Sequence, residues 1–395
     1  MLQPTRQEQP DRGNDAADLV QLMLKPAAWL TSVNFNFTNR CNVRCVYCPQ
    51  GSHAEGFHAD SSRSLIEQIK SFIRAHDVGR AGIGYYGETL LIEGWQEVCA
   101  ELLDQGVELH INSSFNRILS EREAAVLSRF SSIYMSIDTL EPALHREIRK
   151  AVDVRNIIFD LHLIRAQAIR AGRTLPHVVW TGVMTDKAVF GLVEFVAAAI
   201  SNGVSAVNFN DLADYDGAKG GVRHIAELEG EELATAIAEI EAARALAARH
   251  QMPITLGGAN RALAKFKDER ELRTNYAVNG IQGRTRALTT PIKPGETRLC
   301  TDPWETVFAD PKGEVYSCCV RGDVMGRLGD DTDLDAVLDN ESYRALRLEL
   351  LTGSNVNETC ANCHLRPAVP VAELQRQVAE LVYARKMAPR RADRL

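Results

Sequence analysis

The stretch SVNFNFTNRCNVRCVYC, residues 32–48, decides the fold of this chain. Residues 32–37 alternate between polar and apolar side chains, which is typical of a strand with one buried face. The remainder carries cysteines in the spacing Cys-x3-Cys-x2-Cys, at Cys41, Cys45 and Cys48. The sequence therefore predicts a strand that runs directly into a loop with three thiols, which we call the cysteine loop.

Three thiols in one short loop indicate a metal centre with an open position. An iron–sulfur cube is normally held by four thiolates, so three leave one iron available to a ligand that is not protein. An open position is typical of catalytic metal sites. The alternative is a structural zinc site, but zinc usually takes four closed ligands, and no fourth ligand lies near the loop in sequence. We therefore predict a [4Fe–4S] cluster at the cysteine loop.

The composition is that of an ordinary globular protein. The 395 residues are 45% hydrophobic and 25% charged, which suits a large α/β domain with a smaller module. The net charge of -7 argues against a nucleic-acid partner. The sequence carries neither an eighteen-residue apolar run nor a secretion signal, so we expect no membrane partner and a cytoplasmic location. The nine cysteines, clustered in two places, favour metal binding over disulfides.

Strands alternate with helices over the first two thirds of the chain, which predicts parallel βαβ units. The predicted strands cover 32–37, 81–86, 107–111, 132–137, 177–184 and 206–210, and the predicted helices between them include 90–105, 121–130, 154–171 and 190–201. Six strands are too few for an eight-stranded barrel. We therefore predict an α/β fold, a partial (β/α)6 TIM-like barrel, followed by a long helix over 231–250 and a short strand over 253–256.

A second group of cysteines lies near the C-terminus, at Cys300, Cys318, Cys319, Cys360 and Cys363. Residues 304–308 and 314–318 are predicted to pair as strands across a Pro- and Gly-containing turn, which brings Cys318 near Cys300. Cys318 and Cys319 would then point to opposite faces, so only one of them can readily bind the same metal group. Four sulfur ligands suit zinc and iron–sulfur equally.

The cysteine loop, its position after the first strand and Tyr47 before its last cysteine resemble the signature of the radical S-adenosylmethionine (SAM) superfamily. The C-terminal pattern, with Gly313 five residues before Cys318 and Cys360-x2-Cys363 further on, resembles the SPASM auxiliary-cluster module. No cysteine follows Cys363, which matches the shorter twitch form of that module. The resemblance extends from the first strand to Cys363.

The resemblance implies three cofactors: a SAM-binding [4Fe–4S] cluster at the cysteine loop, a second [4Fe–4S] cluster, and SAM itself. The ligands it implies for the second cluster, which we call the C-terminal cysteines, are Cys300, Cys318, Cys360 and Cys363. A four-cysteine zinc site is the alternative for this second group. Cys319 is then a spare thiol, either a small buried hydrophobe or a hydrogen-atom donor to a substrate radical, and no other catalytic residue is assigned.

The resemblance also implies SAM contacts at the ends of later strands. Residues 86–89, Tyr-Gly-Glu-Thr, resemble the family motif Gly-Gly-Glu-Pro with two departures. The implied cofactor-binding residues are Tyr47, Gly87, Glu88, Asn112, Ser136, Asp138 and Arg149. Arg149 would pair with the methionine carboxylate, while Asn208 and Asn210 would contact adenine or substrate. Glu88 and Asp138 are helix caps in the alternative interpretation.

Five segments follow from these assignments: a flexible N-terminal segment (1–27), the radical SAM partial barrel (28–257), a linker (258–299), the SPASM/twitch cluster-binding module (300–370), and a C-terminal helix with a basic tail (371–395). The polar character of the first segment and the Gly-, Arg-, Thr- and Pro-rich stretch 280–295 support these boundaries. The tail is expected to be solvated.

The resemblance implies an enzyme that reductively cleaves SAM and uses the 5′-deoxyadenosyl radical to abstract hydrogen from a substrate. Roughly forty residues precede Cys41, too few for a winged-helix leader-binding domain. We therefore expect a small-molecule substrate, similar to a sugar or aminocyclitol, that is oxidised, epimerised or rearranged. A peptide- or protein-modifying enzyme is the alternative, and a non-catalytic iron–sulfur electron-transfer or redox-sensing protein is a second. We expect an external one-electron donor such as flavodoxin or ferredoxin.

Overall fold

The computed structural model describes residues 23–26, 30–48, 58–150, 152–213, 220–267, 291–319, 323–329, 332–354, 356–361, 363 and 366–387. Most of the predicted flexible segment and the basic tail beyond residue 387 lie outside the described residues. None of the helices in this part of the chain combines the length and the apolar character that a membrane span requires.

The described residues form twelve strands. They are β1 (Ser32–Phe35), β2 (Arg80–Ile83), β3 (Glu108–Ser113), β4 (Ser132–Ser136), β5 (His177–Met184), β6 (Ala206–Asp211), β7 (Ile254–Leu256), β8 (Glu296–Arg298), β9 (Thr306–Ala309), β10 (Glu314–Tyr316), β11 (Gly326–Arg327) and β12 (Ala368–Pro370).

The same residues form thirteen α-helices. They are α1 (Arg63–Ala75), α2 (Trp95–Asp104), α3 (Glu121–Leu127), α4 (Pro142–Arg149), α5 (Val154–Arg170), α6 (Leu192–Ser201), α7 (Gly230–Arg249), α8 (Ala259–Lys267), α9 (Asp302–Glu305), α10 (Leu334–Leu338), α11 (Glu341–Thr352), α12 (Glu358–Ala361) and α13 (Val371–Met387).

Strands β1 to β7 are neighbours in chain order and all run parallel, with helices between them. This arrangement confirms the predicted α/β fold with a partial TIM-like barrel. The short strand predicted over 253–256 forms β7 and extends the sheet beyond the six strands expected. The helix predicted over 90–105 begins only at Trp95, because Gly94 with φ 83° interrupts it.

Alternation along the strands separates the two faces of the sheet. In β1, Val33 and Phe35 are almost completely buried on one face, while Asn34 lies on the other. The same pattern recurs in β3 and β4, where Ile111 and Ile133 are buried. Burial of one apolar face under the helices fixes the register, because a one-residue shift would bring the polar face to the core.

The C-terminal module is continuous with the barrel sheet. Strand β9 pairs in parallel with β1, from Ser32 opposite Thr306 to Phe35 opposite Ala309. Strands β10 and β11 continue the sheet in antiparallel orientation, so the predicted hairpin is present. The range 258–299, expected as a linker, contains helix α8 and strand β8, while residues 268–290 lie outside the described residues. β1 is therefore a central strand, flanked by both parts of the chain.

The described end of the N-terminal segment is held by this module. The indole nitrogen of Trp304 donates to the Met23 carbonyl at 2.5 Å, and Arg347 donates through Nη1 to the Leu24 carbonyl at 3.0 Å. Met23 is buried. The carbonyls of residues 23 and 24 therefore bond to side chains of this module.

Candidate functional site

The entrance to the cysteine loop is clamped to the segment before α1. Thr38 donates through its hydroxyl to Asp60 at 2.6 Å, and Arg40 donates through Nε to the same carboxylate at 2.8 Å. The Asn39 side chain accepts from the Ala59 backbone at 2.6 Å. These bonds fix residues 38–40, immediately before Cys41, although nothing in the sequence marks Asp60 as their partner.

Gly87 lies against this clamped segment. Its φ of 78° is a left-handed conformation that favours glycine, and the following backbone nitrogen, of Glu88, donates to the Arg40 carbonyl at 2.8 Å. A Cβ on Gly87 would stand 2.7 Å from the Arg40 carbonyl oxygen and closer still to that of Thr38. Gly87 therefore allows the two loops to approach more closely than a residue with a Cβ atom would permit.

We expect Gly87→Ala to destabilise the protein and to lower iron loading at the cysteine loop. The left-handed conformation costs alanine about 1 kcal/mol, and the overlap with two carbonyls adds to that cost. Gly172→Ala is the matched control, since Gly172 has φ 61° but no atom of the described residues lies within 4 Å of an added Cβ. Thermal unfolding and iron content of both variants are the measurements; equal effects of the two substitutions would contradict this close approach.

The thiols of the cysteine loop are close together and half-buried. Burial raises the pKa of the Cys41 thiol to about 11 and that of Cys45 to about 12. Both thiols are therefore protonated at neutral pH in the metal-free protein, and iron ligation requires their deprotonation. A hydrogen bond of 3.1 Å from the Cys48 nitrogen to the Cys45 carbonyl closes the turn between these residues. Three sulfurs on one tight loop suit one face of an iron–sulfur cube.

Glu88 is buried and accepts several internal hydrogen bonds. Its Oε1 accepts from the hydroxyl of Ser113 at 2.6 Å and from the Leu90 nitrogen at 3.2 Å, and its Oε2 accepts from the Ser114 nitrogen at 2.8 Å and hydroxyl. The bond to Leu90 caps the short 3₁₀ helix Thr89–Leu91, as the alternative interpretation expected. Glu88 thus joins the end of β2 to the end of β3.

Asp138, at the end of β4, is fully buried and does not cap a helix. It accepts from the Tyr47 hydroxyl at 2.9 Å, from Arg149 Nε at 2.6 Å and from the Val183 nitrogen at 2.7 Å. Arg149 in turn approaches the Cys45 sulfur through Nη1 at 3.8 Å. Three predicted site residues therefore meet in one network, and the carboxylate partner of Arg149 in this structure is Asp138.

Neutral polar side chains lie on the polar face of the sheet. Ser136, Thr181 and Asn208 are direct neighbours in register on β4, β5 and β6, and we call them the polar row. Asn208 donates to Thr181 Oγ1 at 3.5 Å and to Asn210 Oδ1 at 3.2 Å, and Ser136 donates to Asn112 Oδ1 at 3.2 Å. The sequence motifs did not indicate Thr181, although its alternation within β5 assigns it to this face.

His145, which accompanies Arg149 in the family motif, is completely buried in α4. Its Nδ1 lies 3.4 Å from the Val152 carbonyl, and no hydrogen-bond partner meets its Nε2 among the described residues. Burial lowers the pKa of this imidazole, so it is neutral at pH 7. His145 therefore adds no charge to the network of Asp138 and Arg149.

The C-terminal cysteines surround one cavity. Its lining comprises Cys300, Cys318, Cys319, Cys360 and Cys363, together with Arg298, Asp302, Leu350, Thr359 and Arg366. Arg298 is buried and donates to the carbonyls of Cys360 at 3.2 Å and Arg366 at 3.3 Å. Arg298 belongs to β8, which pairs with β12. Sequence patterns did not reveal the anchoring role of Arg298.

Cys318 and Cys319 do not lie on a strand, which corrects the expected geometry. Strand β10 ends at Tyr316, so the alternation of faces no longer applies, and both thiols line the same cavity. Cys319 is exposed, and its carbonyl accepts from the Tyr86 hydroxyl at 3.0 Å. Five thiols therefore line this cavity, whereas an iron–sulfur cube needs only four. Cys319 lies beside the end of β2.

Within the described residues, no three His, Cys, Asp or Glu side chains are close enough to hold a single metal ion.

Comparisons with known proteins match two parts of the chain. Residues 35–184 match the Radical SAM superfamily, and residues 300–364 match SPASM, an iron-sulfur cluster-binding domain. The probable GTP 3',8-cyclase of Methanocaldococcus jannaschii is 29% identical over 135 residues, 33% of this chain and 43% of that protein. The chain thus aligns with less than half of that relative.

Two solved structures share the fold. Streptococcus suis SuiB bound to S-adenosylmethionine superposes with a TM-score of 0.56 at 13% identity, covering 84% of this chain and 77% of that chain. The anSMEcpe protein with bound AdoMet superposes with a TM-score of 0.52 at 12% identity, covering 90% of this chain and all of that chain (100%). At these identities the likeness shows the fold alone.

Proposed function

Because this chain belongs to the radical S-adenosylmethionine superfamily and carries a C-terminal SPASM domain, we propose that it abstracts hydrogen from a neutral, polar small molecule. It is an enzyme of this superfamily, whose cofactors are a [4Fe–4S] cluster and SAM, with further iron–sulfur binding in the SPASM domain. Together the reduced cluster and SAM supply a radical that removes hydrogen from an unactivated C–H bond.

In this proposal Cys41, Cys45 and Cys48 hold the SAM-binding cluster. The clamp of residues 38–40 and the close approach of Gly87 support it, because they fix the loop that carries these thiols. The C-terminal cysteines hold the second cluster. A fully ligated second cluster cannot bind substrate, so we assign it to electron transfer.

The remaining predicted cofactor residues divide by how many internal hydrogen bonds they make. Glu88 and Asp138 are saturated with internal hydrogen bonds, so in our proposal they orient the loops rather than contact SAM directly. Asn112 is exposed and Ser136 lies next to it at the end of β4. We propose that these two contact SAM, at the carboxyl ends of the strands where barrel enzymes place their chemistry.

The observation that carries the substrate class is the polar row, in which Thr181 and Asn208 lie beyond the proposed SAM contact Ser136. Its hydroxyls and amide are neutral and lie in register across three strands, with Tyr134 partly exposed two residues before Ser136. Neutral donors and acceptors recognise hydroxyl groups without requiring a charged partner. A sugar or aminocyclitol, oxidised, epimerised or rearranged, fits this lining, and Asn210 adds a further amide at its edge.

An anaerobic assay tests the proposal. Reconstituted protein is incubated with dithionite, SAM and panels of sugars, aminocyclitols or peptides, and 5′-deoxyadenosine is quantified. A small-molecule substrate should raise its formation and should transfer deuterium from a labelled carbon. SuiB has been solved bound to the precursor peptide SuiA; stimulation by peptides alone would favour the peptide-modifying alternative over ours. Replacing dithionite by flavodoxin or ferredoxin tests the electron donor that we propose.

We expect Asn208→Ala to raise KM for the small-molecule substrate about tenfold, since a lost buried hydrogen bond costs about 1–3 kcal/mol. Asn260→Ala is the matched control, because Asn260 is exposed on α8 and accepts from Arg244 of α7 rather than contacting the sheet. Steady-state kinetics with the substrate identified above measure both variants. An unchanged KM in Asn208→Ala would place the substrate away from the polar row.

A further inference from the structure

Arg149 joins the end of β4 to the cysteine loop. We propose that it is a positioning residue that stabilises negative charge on the Cys45 sulfur and thereby favours the reduced state of the cluster at the cysteine loop. The inference deepens the proposed function and rests on its assignment of the cysteine loop as the ligand set.

The guanidinium of Arg149 serves two acceptors at once. Nε donates to Asp138 Oδ2 at 2.6 Å, and Nη2 lies 3.4 Å from Oδ1 of the same carboxylate. Nη1 points to the Cys45 sulfur at 3.8 Å, a distance suited to a sulfur acceptor. The rigid fork of five donors lets arginine bind a carboxylate on one side and a sulfur on the other, which lysine cannot do.

The surroundings of Arg149 prevent other orientations. Asp138 is completely buried, and it is fixed by the Tyr47 hydroxyl at 2.9 Å and the Val183 nitrogen at 2.7 Å. The Val46 nitrogen donates to the Ile148 carbonyl at 2.9 Å, which ties the loop to the end of α4. Arg149 itself is only 8% exposed. The approach to Cys45 is therefore built into the fold.

The direction of the effect follows from charge. Reduction adds one negative charge to the cluster and its thiolates, and in a buried site a nearby cation lowers the free energy of that state. Hydrogen bonds to the sulfurs act in the same direction. The carboxylate of Asp138 opposes it, but lies on the far side of the guanidinium. Removing the cation and removing the anion should therefore shift the reduction potential in opposite directions.

The test measures the reduction potential of the full-length, reconstituted, SAM-free protein by an anaerobic titration followed by electron paramagnetic resonance. The relevant signal is the one lost when Cys41, Cys45 and Cys48 are all replaced by alanine. For Arg149→Gln we expect about a tenfold lower ratio of reduced to oxidised cluster at a fixed potential, about 59 mV for one electron. Arg149→Lys should shift less, and Asp138→Asn should shift the potential upward.

Arg44→Gln is the matched control. Arg44 directly precedes Cys45, but it is exposed, so water screens its charge. Shifts of equal sign in the Arg149→Gln and Asp138→Asn variants would overturn the inference, as would an Arg149→Gln shift no larger than that of the control. If Arg149→Gln protein does not load iron, opposite shifts in Arg149→Lys and Asp138→Asn support the inference and shifts of one sign reject it.

Two further outcomes would each point to a different explanation, and the measurements separate them. If Arg149 only bound the methionine carboxylate, Arg149→Gln would weaken SAM binding and leave the SAM-free potential unchanged, which would reject our inference. If the triple cysteine variant kept all its iron and both signals, the ligand assignment of the proposed function would fail first.

Discussion

Replacing Cys41, Cys45 and Cys48 together by alanine is expected to remove about half of roughly eight irons and to abolish cleavage of SAM. Among the described residues, the thiols of the cysteine loop are Cys41, Cys45 and Cys48, and the C-terminal cysteines line a separate cavity. Iron analysis and 5′-deoxyadenosine formation after anaerobic reconstitution are the measurements.

The control for this experiment is Cys99→Ala. Cys99 is completely buried in α2, so its loss should cost about 1 kcal/mol of packing and no iron. Residual SAM cleavage in the triple variant would contradict the assignment of the open iron to this loop. Stoichiometric zinc with only about four irons in the unmodified protein would instead overturn the second cluster and leave the first in place.

Replacing Cys360 and Cys363 by alanine is expected to abolish substrate turnover while some cleavage of SAM persists without substrate conversion. The two thiols line the same cavity as Cys318, whereas the cysteine loop is held by its own clamp to Asp60. The double variant should therefore lose about half of the iron and keep the SAM-binding cluster. Iron content, product formation and 5′-deoxyadenosine formation are measured together.

Cys319→Ala is the matched control, since Cys319 lines the same cavity. We expect this variant to keep its iron, because Cys318 is the assigned ligand. Loss of the second cluster in Cys319→Ala but not in Cys318→Ala would exchange the two roles. If the reaction is an epimerisation, Cys319→Ala that still forms 5′-deoxyadenosine but no epimer would support the hydrogen-donor hypothesis for Cys319. Full turnover by the Cys360, Cys363 double variant would show that the second cluster is not needed.

The sequence predicted the barrel well because its strands have one strictly apolar face. The alternation around Val33 and Phe35 recurs in β3 to β6. It is a local signal that can be read from the sequence without knowing which strands pair. Long-range pairing carries no such signal. The contact between β1 and β9 joins segments far apart in the chain. The hydrogen bonds of a parallel strand pair are made by backbone groups, so they produce no recognisable sequence pattern.

The candidate site was predicted in part for the same reason. Cysteine spacing locates the thiols, but it does not show that β10 ends at Tyr316 and brings Cys318 and Cys319 to one cavity. The family motif indicates that Arg149 lies near the strand ends. Its buried hydrogen bond to Asp138, however, depends on how three elements pack together. Side-chain partners of this kind are set by tertiary structure, which the sequence pattern alone does not specify.

The position of β1 between β2 and β9 has a consequence for biosynthesis. Thr31, just before β1, bonds to Glu305 across 274 residues, so this strand leaves the ribosome long before its second neighbour exists. At about 5–20 residues per second the interval is roughly 15–55 s. During that time one edge of β1 presents unpaired amide and carbonyl groups, which template aggregation when left uncovered. Because synthesis runs from the N-terminus, β1, which leads into the cysteine loop, keeps one unpaired edge until β9 has been made. A chaperone that covers this edge would protect it during the interval.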